Sequence, residues 1–140
     1  MSHYSMGQKS HQLLKWAEKS SLTFFDHEIS KPVLVYTGMS GISAATALSL
    51  QLHVIGIKHG MCYIRKKNEK SHGNTIEWEL LTDWEKDDVT PIFVDDFIDQ
   101  GKTLGYVVKK FGRQIDWICL QFDYNYETTF GLKKFEDAFN

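Results

Sequence analysis

The chain has 140 residues, 42% hydrophobic and 24% charged, with a formal net charge of −2. That is room for one domain with a real core, and the weak negative charge excludes a general nucleic-acid binder. Cys62 and Cys119 both sit in apolar runs, which favours reduced core thiols in a cytoplasmic protein over a disulfide or a metal site. No apolar run is long enough to span a membrane, and Met1 to Ser10 lacks the apolar centre of a signal peptide.

In chain order, Gln8 to Lys19 predicts a helix with Leu13, Leu14, Trp16 and Ala17 on its apolar face. Ser20 to Lys31 reads as irregular. Val33-Leu34-Val35-Tyr36 is a continuous apolar strand, as in a parallel sheet covered on both faces. Thr37 to Gly41 reads as a tight loop, and Ile42 to Leu52 as a small-residue helix. Val54-Ile55-Gly56-Ile57 and Met61-Cys62-Tyr63-Ile64 read as the next strands. Arg65 to Asn74 has no apolar residue and reads as a loop. From Thr75 to Thr82, Ile76, Trp78 and Leu80 alternate with Glu77 and Glu79, the pattern of a half-buried strand. Asp83 to Asp88 is an acidic connector. Ile92 to Val94 is a strand, and Leu104, Val107, Val108 and Phe111 stripe a helix that starts at Lys102 and stops at Gly112. Ile115 to Phe122 is a last strand. In the tail, Leu132, Phe135 and Phe139 fit one side of a short helix. Strands alternating with helices predict an α/β fold with an open, mostly parallel sheet and flanking helices. The divisions are an N-terminal hood over 1–31, a core over 33–122 and a tail over 123–140.

The segment Ile92 to Thr103 carries the chemistry. An apolar strand ends in Asp95-Asp96, and a Gly101-Lys102-Thr103 turn opens a helix. Strand ends that feed helix N-termini bind phosphates, because free N–H groups and the helix dipole both favour an anion. A Walker A loop would need a glycine where Asp96 stands. Carboxylates for hydroxyls beside amides for a phosphate instead suit a phosphosugar. Thr37-Gly38-Met39-Ser40-Gly41 lies at another strand end, where two glycines admit an anion close to the backbone; the ordinary alternative is a β–α turn with Ser40 as helix cap. The histidines His3, His11, His27, His53 and His59 have no metal-ligand spacing.

Pro91 to Thr103 resembles the phosphoribosyl pyrophosphate (PRPP) motif of type I phosphoribosyltransferases, departing from it at Pro91, Phe97 and Gln100. The resemblance implies the fold of that family and transfer of ribose 5-phosphate from PRPP to a nucleobase. It implies that Asp95 and Asp96 hold the ribose hydroxyls, directly or through Mg²⁺, and that Asp99, Gln100, Gly101, Lys102 and Thr103 bind the 5′-phosphate. Thr37, Gly38, Met39, Ser40 and Gly41 correspond to the pyrophosphate loop. Arg65, Lys66, Lys67, Lys70 and His72 are similar to the cationic loop of orotate phosphoribosyltransferases, in which such cations stabilise the leaving pyrophosphate. Asp99 and Lys102-Thr103 look like the hypoxanthine–guanine version, which tilts the acceptor toward a 6-oxopurine; Asp99 would act on the base or cap the helix. Trp117, with Asp123 six residues later, is similar to a segment of xanthine–guanine enzymes in which a Trp stacks on the purine, but Trp117 is equally readable as core. Phe122 and Tyr124 are the other aromatic candidates for the base. The family also implies a homodimer. A non-catalytic PRPP- or nucleotide-binding regulatory module is the alternative function.

Overall fold

The computed structural model describes the backbone of residues 6–66, 75–96, 98, 101–122 and 129–137; of these, the side chains of 6–9, 129 and 130 are left undescribed. The elements are α1 (Met6–Asp26), β1 (Pro32–Tyr36), α2 (Gly38–Val54), β2 (Gly60–Ile64), β3 (Ile76–Glu79), β4 (Thr90–Asp95), α3 (Lys102–Phe111), β5 (Trp117–Phe122) and β6 (Thr129–Lys134). They form a six-stranded sheet in the order β3-β2-β1-β4-β5-β6. The four central strands are parallel, and β3 and β6 run antiparallel at the two edges. This is the open, mostly parallel α/β sheet that the alternation of elements predicts.

The central strands are apolar at every position because both faces are covered. Leu34, Ile92, Val94 and Cys119 point to one face, under Trp16, Ala17 and Phe24 of α1 and Ala44, Ala45, Leu48 and Leu52 of α2. Val33, Val35, Phe93, Ile118 and Leu120 point to the other, under Leu104, Val107 and Phe111 of α3. α2 and α3 thus lie on opposite faces. The chain leaves β1 toward β2 and leaves β4 toward β5, so the strand order reverses direction between β1 and β4. In open α/β sheets ligands bind at that switch point, beyond the carboxyl ends of the strands.

Four local expectations are corrected. The segment Ser20 to Asp26 is helical: α1 continues through it, burying Phe24, and Ser21 Oγ donates to the Glu18 carbonyl at 2.8 Å, which lets a serine stay inside a helix. α1 is laid against a sheet face, where the Trp16 indole N–H donates to the Leu120 carbonyl at 2.7 Å. The run 54–57 is no strand. α2 runs on to Val54, and Ile55 and Ile57 still donate to Gln51 and Leu52. A four-residue apolar run has no period long enough to separate helix end from strand. The expected loop 37–41 is almost entirely helix, since α2 begins at Gly38. The tail supplies β6, not a helix: Leu132 pairs with Cys119 and is buried. Its spacing to Phe135 suggests a helix, but the open edge of β5 offers backbone partners that an isolated short helix lacks.

Candidate active site

Asp95 is the last residue of β4 and is 6% exposed. Across the switch point, Ser40 in the first turn of α2 donates its hydroxyl to Asp95 Oδ1 at 2.9 Å, and the Asp96 backbone N–H donates to the same oxygen at 2.8 Å. Ser40 is therefore not the helix cap; it joins the two strand-end motifs. Burial pushes the Asp95 carboxyl up to about 7, reinforced by the neighbouring Asp96 carboxyl and opposed by the bonds from Ser40 and the Asp96 amide. Asp96 is half-buried, and its carbonyl accepts from Phe122 N–H at 2.8 Å, which ties the end of β5 to the acidic pair.

The α2 end of the site is built for close approach. Thr37 is extended and donates its hydroxyl to the Ile64 carbonyl at 2.5 Å, tying the end of β1 to the end of β2. Gly38 follows with φ +68, a conformation that favours glycine. A Cβ on Gly38 would meet Lys66 Cε at 2.8 Å and Nζ at 2.9 Å, so the Lys66 cation lies directly over this turn. Gly41 is buried beside the Val94 carbonyl and Asp95 Oδ1, 3.7 and 3.9 Å from where a Cβ would be. Met39 is exposed. Gly38→Ala should cost about 1–2 kcal/mol through the left-handed backbone, while the flexible Lys66 end swings away at little further cost. Urea unfolding of the variant would measure this, and an unchanged midpoint would show that Gly38 is not held by its backbone.

On the other side, α3 starts after Gly101, whose φ of +78 turns the chain into the helix with no side-chain cap. Gly101 occupies the N-cap position, so Asp99 is not the cap. Lys102 and Thr103 are exposed on the first turn, where backbone N–H groups and the helix dipole favour an anion. The fold thus brings Thr37, Gly38, Ser40, Gly41, Lys66, Asp95 and Asp96 together, with Gly101, Lys102 and Thr103 on the α3 turn that follows β4. Lys67, Lys70, His72, Asp99, Gln100 and Tyr124 lie outside the described residues.

Two expected site residues are placed otherwise. Arg65 is spent on structure: its guanidinium pairs with Glu77 on β3 and lies 5.5 Å from the Tyr63 ring centroid, leaving it aligned along the hairpin and not aimed at an anion. Trp117 stands at the start of β5, paired with Ile92, whereas Asp95 pairs with Leu120. It is therefore three residues, about 10 Å, down the strand from the acidic pair, and it packs on His27 with ring centroids 5.0 Å apart. The core reading of Trp117 fits this place; the base-stacking one does not. Sequence reasoning missed Tyr106, whose hydroxyl donates to the Arg65 carbonyl at 2.8 Å and fastens α3 to the end of β2. Its only signal was its position one helical turn after Thr103. Cys62 and Cys119 are buried free thiols, both pushed up to about 12 by burial. Among the described residues no three His, Cys, Asp or Glu side chains cluster as a metal site, and no helix is long and apolar enough to cross a membrane.

No protein-family model and no curated protein sequence matches the chain. Solved structures do. An orotate phosphoribosyltransferase of Francisella tularensis superposes with a TM-score of 0.59 at 16% identity, over 79% of this chain and 52% of that one. A purine phosphoribosyltransferase of Pyrococcus horikoshii superposes with a TM-score of 0.53 at 23% identity, over 80% and 73%. A hypoxanthine-guanine phosphoribosyltransferase of Bacillus anthracis gives 0.53 at 20% identity, over 81% and 67%. The matched part spans about half the length of the orotate enzyme. The chain has the phosphoribosyltransferase fold, as the resemblance at Pro91 to Thr103 implied.

Proposed function

We propose that the protein is a PRPP-dependent phosphoribosyltransferase that transfers ribose 5-phosphate to a nucleobase and releases pyrophosphate. The observation that carries this reading is the Ser40–Asp95 hydrogen bond, which holds the Gly38 turn and the acidic pair together across the switch point. A molecule with a phosphorylated ribose between two anionic ends matches that arrangement. The 5′-phosphate would sit on the N–H groups at Gly101 to Thr103, the ribose hydroxyls on Asp95 and Asp96, and the pyrophosphate over Gly38 to Gly41 under Lys66. As the ribose C1–oxygen bond breaks, a base nitrogen bonds to C1, the electron pair leaves with pyrophosphate, and the base sheds its proton. Asp99 is the proposed partner of the base, a 6-oxopurine, and Lys70 and His72 stabilise the leaving group.

The donor set fits Mg²⁺. Two adjacent carboxylates, with no third protein ligand clustered among the described residues, suit an ion that keeps waters and takes its other oxygens from substrate phosphates. When bound, the ion supplies charge neutralisation at the pyrophosphate. The place of Trp117, far from the acidic pair, supports the second reading, a regulatory module that binds PRPP or a nucleotide without turnover. Incubation with PRPP, Mg²⁺ and a panel of free bases, following nucleotide and pyrophosphate, separates the two. Turnover of one base establishes the enzyme, binding without turnover on every base leaves the module, and no binding of PRPP or of any nucleotide rejects both.

A further inference from the structure

α2 is a surface helix without charge. About a quarter of the chain is charged, yet the 17 residues from Gly38 to Val54 contain no Asp, Glu, Lys or Arg. Its inner side, with Ala44, Ala45, Leu48 and Leu52, is buried on the sheet. Its outer side carries Met39 (86% exposed), Ile42 (42%), Leu50 (63%) and Val54 (74%), with the exposed Thr46 between them. Positions 39, 42, 46, 50 and 54 recur at helical spacing and form one stripe along the full helix. A helix that is apolar on both sides is a buried helix. The adjoining α1 adds exposed Leu14, Leu22 and Phe25.

We infer that this face binds a second copy of the chain, the two α2 helices packing antiparallel about a two-fold axis at Thr46. The sequence of the stripe is self-complementary about that point. The axis sets Ile42 against the partner's Leu50 and Met39 against the partner's Val54, while the small Thr46 at the centre lets the helices approach closely. An isologous contact of this kind needs one patch to match itself, and a patch without charge creates no like-charge repulsion when doubled. The area is sufficient. α2 is about 25 Å long and, with α1 beside it, the face is roughly 20 Å wide. Two such faces bury about 1,000 Å² in total, the threshold for a specific interface. Because α2 begins at the Gly38 turn, the partner's helix end covers Met39 and walls the mouth of the proposed site, so the inference rests on that reading only for its consequence and not for the contact.

The test reads assembly, not turnover, so its outcome is independent of the proposed reaction. Light scattering should give twice the 16.2 kDa chain mass, and Leu50→Glu should give the single-chain mass with an unchanged far-ultraviolet circular dichroism spectrum. Should Leu50→Glu fail to fold, Thr46→Cys carries the test. Oxidised with diamide, it should form an intermolecular disulfide across the axis in most of the protein, whereas Ser43→Cys, which faces the partner's Ser49, should not. The native Cys62 and Cys119 are buried and do not compete. A single-chain mass for the unsubstituted protein, or a dimer in which Thr46→Cys and Ser43→Cys cross-link alike, overturns the inference. So does a mass equal to one chain plus a different co-purifying protein, which would assign the face to that partner.

Discussion

Asp95→Asn is expected to make the folded protein more stable above neutral pH and to weaken its hold on PRPP. The Asp95 carboxyl is pushed from an ordinary 3.8 to about 7, chiefly by burial. The folded protein therefore binds that proton more tightly than the unfolded chain does. Its contribution to stability is full below about 4 and is lost as pH rises through about 7. The difference is at most on the order of 4 kcal/mol at pH 8. Asparagine is neutral throughout, and its side-chain oxygen still accepts from Ser40 and the Asp96 amide. Urea unfolding of both proteins at about pH 5 and pH 8 should show the unsubstituted protein losing stability and the variant losing much less. Equal losses in the two proteins would mean that Asp95 is ionised in the fold without cost. The strain has a use in the proposed reaction: ribose hydroxyls or a hard cation at the carboxylate restore what burial removes, so ligand binding and deprotonation are linked.

Lys70→Ala is expected to lower turnover by about 10²–10³-fold, the range for losing one group that meets developing charge, with a smaller loss of PRPP affinity. His72→Ala should act in the same sense. Both are proposed to meet the pyrophosphate, whose charge grows as the bond breaks, so their contribution is larger in the transition state than in the ground state. Thr103→Val is the contrast. The 5′-phosphate does not change charge during the reaction, so removing the hydroxyl should weaken PRPP binding by roughly 1–3 kcal/mol and leave turnover nearly intact. Titration calorimetry with PRPP and single-turnover rates read the two quantities separately. Lys70→Ala losing affinity at full rate while Thr103→Val keeps affinity at reduced rate would reverse the assigned roles.

Much of this arrangement is legible in the sequence because it is local. The run Ile92 to Val94 has to be a two-sided buried strand, Gly112 has to end α3, and the alternation from Ile76 to Leu80 has to make an edge strand. Each follows from side-chain period or backbone permissiveness within a few residues. The acidic pair at Asp95-Asp96, the turn at Gly38 and the helix start at Lys102 were each visible as strand-end motifs for the same reason. Parallel order follows from strands that are apolar throughout and separated by helices long enough to cross over.

Contacts between segments distant in sequence settled the rest. Ser40 could be a helix cap or a link, and only the adjacency of β1 and β4 puts its hydroxyl on Asp95. Arg65 reads as a free cation until the β2–β3 hairpin sets Glu77 beside it. Trp117 has the composition of a base-stacking residue, yet the register of β5 against β4 puts it at the wrong end of the strand. The tail becomes a strand because β5 has an open edge, a fact absent from the tail's own residues. The nearly neutral carboxyl of Asp95 likewise comes from burial, which depends on what α2 covers. Local sequence determined which elements form and where their ends carry polar groups, because period and backbone freedom act over short range. Tertiary structure decided which of those groups meet and which ones are charged, because pairing and desolvation depend on neighbours that the chain brings from far away.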